Sequence, residues 1–153
     1  MFTKQRFDNW AINQSIISGL TELGWEMATQ VQKDTIPLAL EGSNVIGQAR
    51  TGSGKTGAFG IPIIQACQPI GELQALILAP TRELANQVSI EMNTIQGDLG
   101  LTIVTVYGGT DLEKQARQLN DGVDIIVGTP GRVMDMTKRK YIDLDKPSIF
   151  CLD

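Results

Sequence analysis

A glycine-rich stretch at residues 49–56, ARTGSGKT, combines residue types that together bind phosphate groups. Gly52 and Gly54 allow backbone conformations that other residues rarely adopt, so several N–H groups can face one anion. Lys55 supplies a mobile positive charge for the outer phosphates, and Thr56 supplies a hydroxyl for Mg²⁺. A helix that begins here adds the partial positive charge of its N-terminus. The stretch predicts a nucleoside triphosphate site, and the alternative is a glycine-rich turn with a chance Lys-Thr pair.

Asp153 follows the apolar segment IFCL and is a second residue suited to this chemistry. Phosphate-loop enzymes need an acid on a separate strand that helps to hold Mg²⁺. For an isolated strand-terminal Asp, the alternative is a cap on the next turn. Because the phosphate loop is present, we favour the metal role. The candidate catalytic residues are therefore Lys55, Thr56 and Asp153, with Thr56 and Asp153 as candidate metal ligands.

The elements that must position these residues are indicated by alternating apolar and amphipathic segments. Helices are predicted within residues 10–24 and 29–42, and a short strand is predicted at 44–49 before the glycine-rich loop. Further strands are predicted within 73–80, 101–109, 123–130 and 148–153, with helical segments between them. This alternation indicates an α/β fold with a parallel sheet covered on both faces. Ligands of such sheets bind at the carboxyl ends of the strands.

Composition limits the function classes. The chain has 153 residues with a formal charge of -4, two cysteines and no histidine. A zinc site or a histidine-based triad is therefore not expected, and both cysteines fit a reducing cytoplasm. The negative charge does not exclude nucleic acid, because backbone N–H groups and helix N-termini also bind phosphates. No secretory signal or membrane-spanning run is visible, so we expect one cytoplasmic domain without a membrane.

Six motifs occur in an order that resembles the DEAD-box ATP-dependent RNA helicases, over the whole chain. They are GWEMATQVQ (24–32), ARTGSGKT (49–56), PTRELA (80–85), GG (108–109), TPGR (129–132) and the terminal LD. Ala49 and Ala28 stand where the usual patterns have Gly and Pro. The resemblance implies a RecA-like phosphate-loop domain, the N-terminal one of a helicase core, with ATP and Mg²⁺ as cofactors.

The resemblance assigns the first motifs to the nucleotide. Gln32 would hydrogen-bond the adenine edge, Trp25 would supply an aromatic face, and Phe7 would be the upstream aromatic that supports ATP binding. From the residues alone, Trp25 and Phe7 are equally candidates for the core. The residues assigned to the nucleotide are Phe7, Trp25, Thr29, Gln32, Ala49, Arg50, Thr51, Gly52, Ser53, Gly54, Lys55 and Thr56.

The later motifs are implied to hold the RNA backbone. Thr81 and Thr129 carry hydroxyls suited to phosphate oxygens, and Arg82 and Arg132 bring positive charge. Taken singly, each site has an alternative reading as a helix N-cap followed by a solvated Arg. We interpret Glu83 as a residue that orients its neighbours and not as a catalyst. The residues assigned to RNA are Pro80, Thr81, Arg82, Glu83, Gly108, Gly109, Thr129, Pro130, Gly131 and Arg132.

In this family Asp153 would be the first letter of Asp-Glu-Ala-Asp. The Glu that polarises the attacking water, a Ser-Ala-Thr strand and a second RecA-like domain would follow it. We therefore expect residues 1–153 to form a partial N-terminal domain without turnover, with a gap in the sheet that exchange between copies could fill. The alternatives are a non-catalytic nucleotide- or RNA-binding module, and a small-molecule kinase that would leave Gln32, PTRELA and TPGR unused.

Overall fold

The computed structural model describes residues 2–153, which form two compact units. The first unit comprises residues up to Ala66 together with Glu91–Leu99, and the second comprises Cys67–Ile90 and Gly100–Asp153. The long helix α4, Arg82–Ile95, contributes its first part to the second unit and its last turns to the first unit.

The first unit is mainly helical. Its helices are α1 (Gln14–Glu22), α2 (Gln30–Leu40) and α3 (Lys55–Ala66), preceded by a single 3₁₀ turn at Phe7–Asn9. Strand β1 (Phe2–Arg6) pairs antiparallel with β2 (Met27–Thr29). The sequence pattern predicted α1 and α2, and Gly24 and Gly42 follow them with φ of 78° and 89°. The β1–β2 pair was not predicted.

Close backbone contact fixes the helices of this unit. A Cβ on Gly19 of α1 would lie 2.3 Å from the carbonyl oxygen of Thr94, so only glycine permits this approach. The α3 residue Gly60 similarly faces Met92, at 3.3 Å from its Cγ. Fully buried side chains fill the space between these helices, among them Ile16, Leu20, Ile36, Ile61, Ile64, Met92 and Ile95.

The second unit contains a four-stranded parallel sheet in the order β4-β5-β3-β6. Its strands are β3 (Ala75–Leu78), β4 (Ile103–Val106), β5 (Ile125–Gly128) and β6 (Ile149–Leu152), and its further helices are α5 (Leu112–Asn120) and α6 (Pro130–Lys138). Their apolar cores explain the order, because β3 and β5 are the most buried strands and occupy the centre. The α/β architecture predicted from the alternating segments is confirmed.

One face of this sheet is covered by α5 and α6. Leu76, Val104 and Ile126 from three strands form a buried cluster with Leu119 of α5 and Met136 of α6. The alternate strand residues on the opposite face are also buried, with Ile77, Ile125 and Val127 each fully enclosed. Burial on both faces is what near-continuous apolar strands require.

The strand predicted at residues 44–49 is wrong. The segment makes no pairing in either sheet, and Ile46 is fully exposed. A strand needs a neighbour for its backbone N–H and C=O groups, and an apolar pattern alone does not supply one. In the second unit, β6 is the last strand of the sheet, with Phe150 59 % and Leu152 80 % exposed.

Within residues 2–153, no helix combines the length and the apolar character that crossing a bilayer requires.

Candidate functional site

The glycine-rich loop has the backbone that its sequence predicts. Gly52 and Gly54 adopt φ of 80° and 87°, in the left-handed region where a side chain is strained. The N–H of Ser53 donates to the carbonyl of Arg50 at 3.1 Å, which closes a turn. Helix α3 begins immediately afterwards, so Lys55 and Thr56 lie in its first turn. This is the geometry of an anion site at a helix N-terminus.

The Gln32 side chain connects α2 to this loop. Its Oε1 accepts a hydrogen bond from the N–H of Thr29 at 2.9 Å, and its Nε2 donates to the carbonyl of Gly54 at 3.0 Å. The residue is only 1 % exposed. The amide therefore holds the loop itself in this conformation, and its contact with an adenine stays a prediction.

The Thr29 hydroxyl is buried at the start of α2, where the side chains of Thr29 and Gln32 form a capping box. A Cβ built on Gly54 would lie 3.0 Å from this oxygen, so the hydroxyl faces the loop directly. Beside it, a cleft of about 360 Å³ runs between the start of α2 and the loop, lined by Thr29, Thr35, Ala49 and Ser53 among others. A hydroxyl in a capping box still has its own O–H to donate, so Thr29 beside the glycine-rich loop fits a nucleotide phosphate.

The two predicted aromatic residues belong to one cluster. Phe7 is 2 % exposed, stacks on Trp25 with ring centroids 6.4 Å apart, and meets Trp10 edge-on. Trp25 in turn packs against α3, since a Cβ on Gly57 would lie 2.7 Å from its ring. Phe7 is thus a core residue that packs on Trp25, while Trp25 is half-buried.

Glu91 is a member of this region that the sequence analysis missed. It is half-buried on α4 and hydrogen-bonds the side chain of Thr56. Burial raises the pKa of the Glu91 carboxyl, and the hydrogen bond from Thr56 partly opposes that shift. A Glu in the middle of an amphipathic helix gives no signal of such a role, because its sequence neighbours are those of a solvated face.

The predicted RNA-binding segments meet at one edge of the sheet in the second unit. Register pairs Leu78 with Gly128 and Leu152, and Val106 with Gly128, so the four strands end side by side. Across this edge the chain presents residues 108–109 after β4, 129–132 after β5, 80–83 after β3 and Asp153 after β6. The structure therefore brings together the three segments and places Asp153 beside them.

The two arginines of this edge are held by specific contacts. The Arg82 guanidinium lies 4.6 Å from the centroid of the Tyr107 ring, a cation–π arrangement. Arg132 donates from Nη1 to Oε1 of Gln115 at 2.8 Å and from Nη2 to the carbonyl of Thr110 at 3.1 Å. Neither side chain is the freely solvated Arg of the alternative reading.

The hydroxyl residues of the edge differ from each other. Thr81 accepts a hydrogen bond from the N–H of Leu84 at 3.2 Å and so caps α4. Thr129 precedes α6, where Pro130 occupies the first turn, but its side chain makes no capping bond. Glu83 is exposed in the first turn of α4. The capping alternative therefore holds for Thr81 and not for Thr129.

Asp153 belongs to the second unit and the phosphate loop to the first. Its N–H donates to the carbonyl of Leu78 at 2.8 Å, which extends the β3–β6 ladder, and its side chain is exposed. The carboxylate is thus available to a ligand, and its metal role stays a prediction.

Comparison with known proteins decides the family. A sequence profile of the DEAD/DEAH box helicases matches residues 29–153. The chain belongs to the DEAD/DEAH box helicase family. The RNA helicase CrhR of Synechocystis is 47 % identical over 88 % of this chain and 27 % of the relative. The ATP-dependent RNA helicase CshA of Listeria monocytogenes is 44 % identical over 97 % of this chain and 29 % of its own length.

Solved structures support the same family and confirm the RecA-like fold of this DEAD-box chain. A DEAD box protein from the hyperthermophile Methanococcus jannaschii superposes with a TM-score of 0.93 at 38 % identity, covering 97 % of this chain and 41 % of that one. A hypothetical ATP-dependent RNA helicase from Sulfolobus tokodaii gives 0.85 at 38 % identity, over 93 % and 41 %. The chain spans less than a third of the length of the curated relatives described above.

Proposed function

We propose that this chain is the ATP-binding and RNA-backbone-binding part of an ATP-dependent RNA helicase, namely its N-terminal RecA-like domain. The observation that carries the proposal is the shared carboxyl edge, where three segments rich in hydroxyl, glycine and arginine residues end side by side. Such an edge suits a phosphate backbone, and it carries few groups that could read bases. RNA would therefore be bound without sequence preference.

The nucleotide would occupy the glycine-rich loop. Backbone N–H groups around Gly52 and Gly54 would face the phosphates, Lys55 would neutralise their charge, and the Thr29 hydroxyl would donate to them. Mg²⁺ would be held by Thr56 and Asp153, and when bound it would supply charge neutralisation at the outer phosphates. Glu91, which accepts from the Thr56 hydroxyl, leaves the lone pairs of that oxygen free for a cation.

In the complete helicase, a second RecA-like domain would close over both ligands. ATP and RNA binding would bring the two domains together and open a short duplex locally. ATP hydrolysis would then reset the enzyme.

The test is ATP hydrolysis by the complete protein that carries this sequence, measured with and without single-stranded RNA. We expect RNA to stimulate hydrolysis, and Arg82→Ala to weaken that stimulation while leaving nucleotide binding intact. Lys33→Ala, an exposed lysine on α2, is the matched control. Hydrolysis that does not respond to RNA would contradict the proposal, and binding of both ligands without any turnover would favour a non-catalytic module.

Base selection is tested separately with adenine and guanine nucleotides. We expect adenine nucleotides to bind more tightly, and Gln32→Ala to reduce the difference. Because Gln32 also donates to the Gly54 carbonyl, the variant should lower affinity for both bases as well. Equal affinity of the unmutated protein for the two bases would remove the adenine assignment.

We also infer a reducing compartment, such as the cytoplasm, from the two cysteines. Both are free, and burial holds their thiols in the protonated form.

A last part of the proposal concerns the edge of β6. Phe150 and Leu152 expose apolar side chains there, and the strand has no neighbour on that side among the described residues. An unprotected edge of this kind pairs readily with another strand. We propose that copies of the 153-residue chain, when separated from further sequence, associate through β6.

A further inference from the structure

A buried amide lies beneath the edge to which RNA binding is assigned above. Gln115, in the first turns of α5, is 6 % exposed, although it is a polar residue on a helix with many solvated positions. No motif of the sequence includes it. Its contacts within the second unit extend to two of the three RNA-binding segments.

Every hydrogen-bonding group of this amide has a partner. Nε2 donates to the hydroxyl of Thr110 at 2.6 Å and to the carbonyl of Tyr107 at 3.3 Å. Oε1 accepts from Nη1 of Arg132 at 2.8 Å. The Thr110 hydroxyl donates in turn to the Tyr107 carbonyl at 3.0 Å. One side chain thus fixes both ends of the segment that contains Gly108 and Gly109.

The same contacts set the direction of Arg132. A guanidinium has five N–H donors in a plane, and two of them are used by Gln115 and the Thr110 carbonyl. This two-point contact fixes the plane, so the three remaining N–H groups have a defined direction. A planar fork held in this way suits a phosphate, which accepts two parallel hydrogen bonds.

The third segment is connected through Tyr107. The ring of Tyr107 carries the Arg82 guanidinium at 4.6 Å, while the carbonyl of the same residue accepts from Gln115 and Thr110. Gly109 approaches the Arg82 side chain as well, since a Cβ there would lie 3.8 Å from Nη1. The spacing of the two arginines therefore depends on where Gln115 holds this loop.

We propose that Gln115 is a positioning residue for RNA binding, which sets the Arg132 guanidinium and the Gly108–Gly109 loop in one arrangement without contacting RNA itself. The inference rests on the proposed function of this edge. A neutral amide is required at this position, because it must both donate to the loop and accept from Arg132. A carboxylate would accept from Arg132 but repel the Tyr107 carbonyl, and an apolar side chain would remove one hydrogen bond from each of the three partners.

The experiment measures the affinity of the complete protein for a single-stranded oligonucleotide RNA as a function of salt concentration. The variants are Gln115→Ala, Arg132→Ala and the double variant, and Gln118→Ala, an exposed residue of the same helix, is the control. Loss of one phosphate contact should reduce the slope of log affinity against log salt by roughly 0.7. We expect Gln115→Ala and Arg132→Ala each to weaken binding by about tenfold and to lower the slope.

The double variant tests whether Gln115 acts through Arg132. If Gln115 acts through Arg132 as well as through the loop, the double variant loses less affinity than the two single variants combined, and nucleotide affinity is unchanged throughout. Gln115→Ala with a lowered melting temperature but an unchanged affinity and salt slope would overturn the inference, because that pattern belongs to a purely structural residue. Additive losses in the double variant would overturn it too.

Gln115→Glu covers the case in which Gln115→Ala does not fold. It keeps the volume and the acceptor for Arg132, so we expect a folded protein with at least the same loss of RNA affinity. RNA affinity equal to that of the unmutated protein would contradict the inference. Failure of the proposed function has a different signature, since then neither Arg82→Ala nor Arg132→Ala would alter binding to RNA.

Discussion

At the scale of single residues, two separate requirements make position 54 of the glycine-rich loop a glycine: a positive φ and a lack of space for a side chain. Gly54 has a φ of 87°, and a Cβ there would lie 2.5 Å from Nε2 of Gln32 and 3.0 Å from the Thr29 hydroxyl. Gly24 has a similar φ of 78° but open space around it, and it is the matched control. Gly24→Ala should cost about 1 kcal/mol of stability and leave nucleotide binding intact.

Gly54→Ala should cost more than this and abolish nucleotide binding, because the Gln32 amide and the Thr29 hydroxyl must move out of the loop. Chemical unfolding and nucleotide titration of both variants check the prediction. Equal effects of the two substitutions on nucleotide affinity would mean that the close approach of Gln32 and Thr29 to Gly54 does not matter for nucleotide binding.

The residues of the candidate site were predictable to different degrees. The positive φ of Gly52 and Gly54 is predictable from a local sequence pattern, because a short chain segment determines the turn. Gln115 and Glu91 carry no such signal, since their roles come from partners that are distant in sequence, Arg132 and Thr56. Burial of a polar side chain on an otherwise solvated helix is visible only once the helix is packed.

At the scale of elements, one carboxylate anchors the start of the sheet. Asp124, 1 % exposed, accepts through Oδ1 from the N–H groups of Ile70 and Gly71 and from Gln74 Nε2, and through Oδ2 from the N–H of Thr102. It therefore joins the connection before β3 to the residues before β4.

Asp124→Ala should destabilise the protein by about 3 kcal/mol or more, because it leaves several donors without an acceptor. Asp145→Ala, at an exposed position, should change stability by less than about 0.5 kcal/mol. Urea unfolding of the two variants gives the comparison. Similar stabilities would show that water replaces the carboxylate at little cost.

The edge of β6 gives a second prediction at this scale. The 153-residue chain alone should associate with rising concentration, and Phe150→Lys should suppress this, because a charge on an exposed edge opposes strand pairing. Ile90→Lys, at an exposed apolar position on α4, should leave this association unchanged. Sedimentation velocity measures the difference. Loss of association in both variants, or a strictly monomeric unmutated chain, would argue against pairing through β6.

Elements with strong internal patterns were predicted, and those defined by a partner were not. Residues 73–80 and 123–130 are apolar enough to specify central strands wherever they pair. Residues 44–49 contain only a short apolar stretch at Val45 and Ile46 and have no neighbouring strand, and they form no strand. The short strands β1 and β2 show the converse, because Phe2–Arg6 alternates weakly and is extended only through its pairing with Met27–Thr29.

At the scale of the molecule, the two cysteines report on opening of the second unit. Burial raises the pKa of Cys67 to about 11, with a smaller contribution from Asp124, and burial beside Asp153 raises that of Cys151 to about 12. The pKa of a free cysteine is about 8.5. Alkylation of the native protein at pH 8 should therefore be slower than that of the urea-unfolded protein by roughly a hundredfold or more.

The raised pKa values of the two cysteines also make the stability of the protein fall at alkaline pH. Both pKa values are raised by folding, so their contribution to stability is fully present below about pH 8.5 and is lost as pH rises towards about 11 for Cys67 and about 12 for Cys151. Replacing both cysteines with Ala should flatten the fall in unfolding free energy between about pH 8.5 and 11. Rapid alkylation of the native protein at pH 8, or an unchanged alkaline slope, would contradict this account.

The strand order has a consequence for synthesis on the ribosome. β3 and β4 are made first, yet they do not touch each other in the finished sheet, because β5 lies between them. Until about residue 128 has left the exit tunnel, the nascent chain has two apolar strands with no shared ladder, and the carboxyl edge of the sheet lacks its central part. Insertion of β5 joins both in one step, so a pause in translation before that point would leave the most aggregation-prone form of this chain exposed for longest.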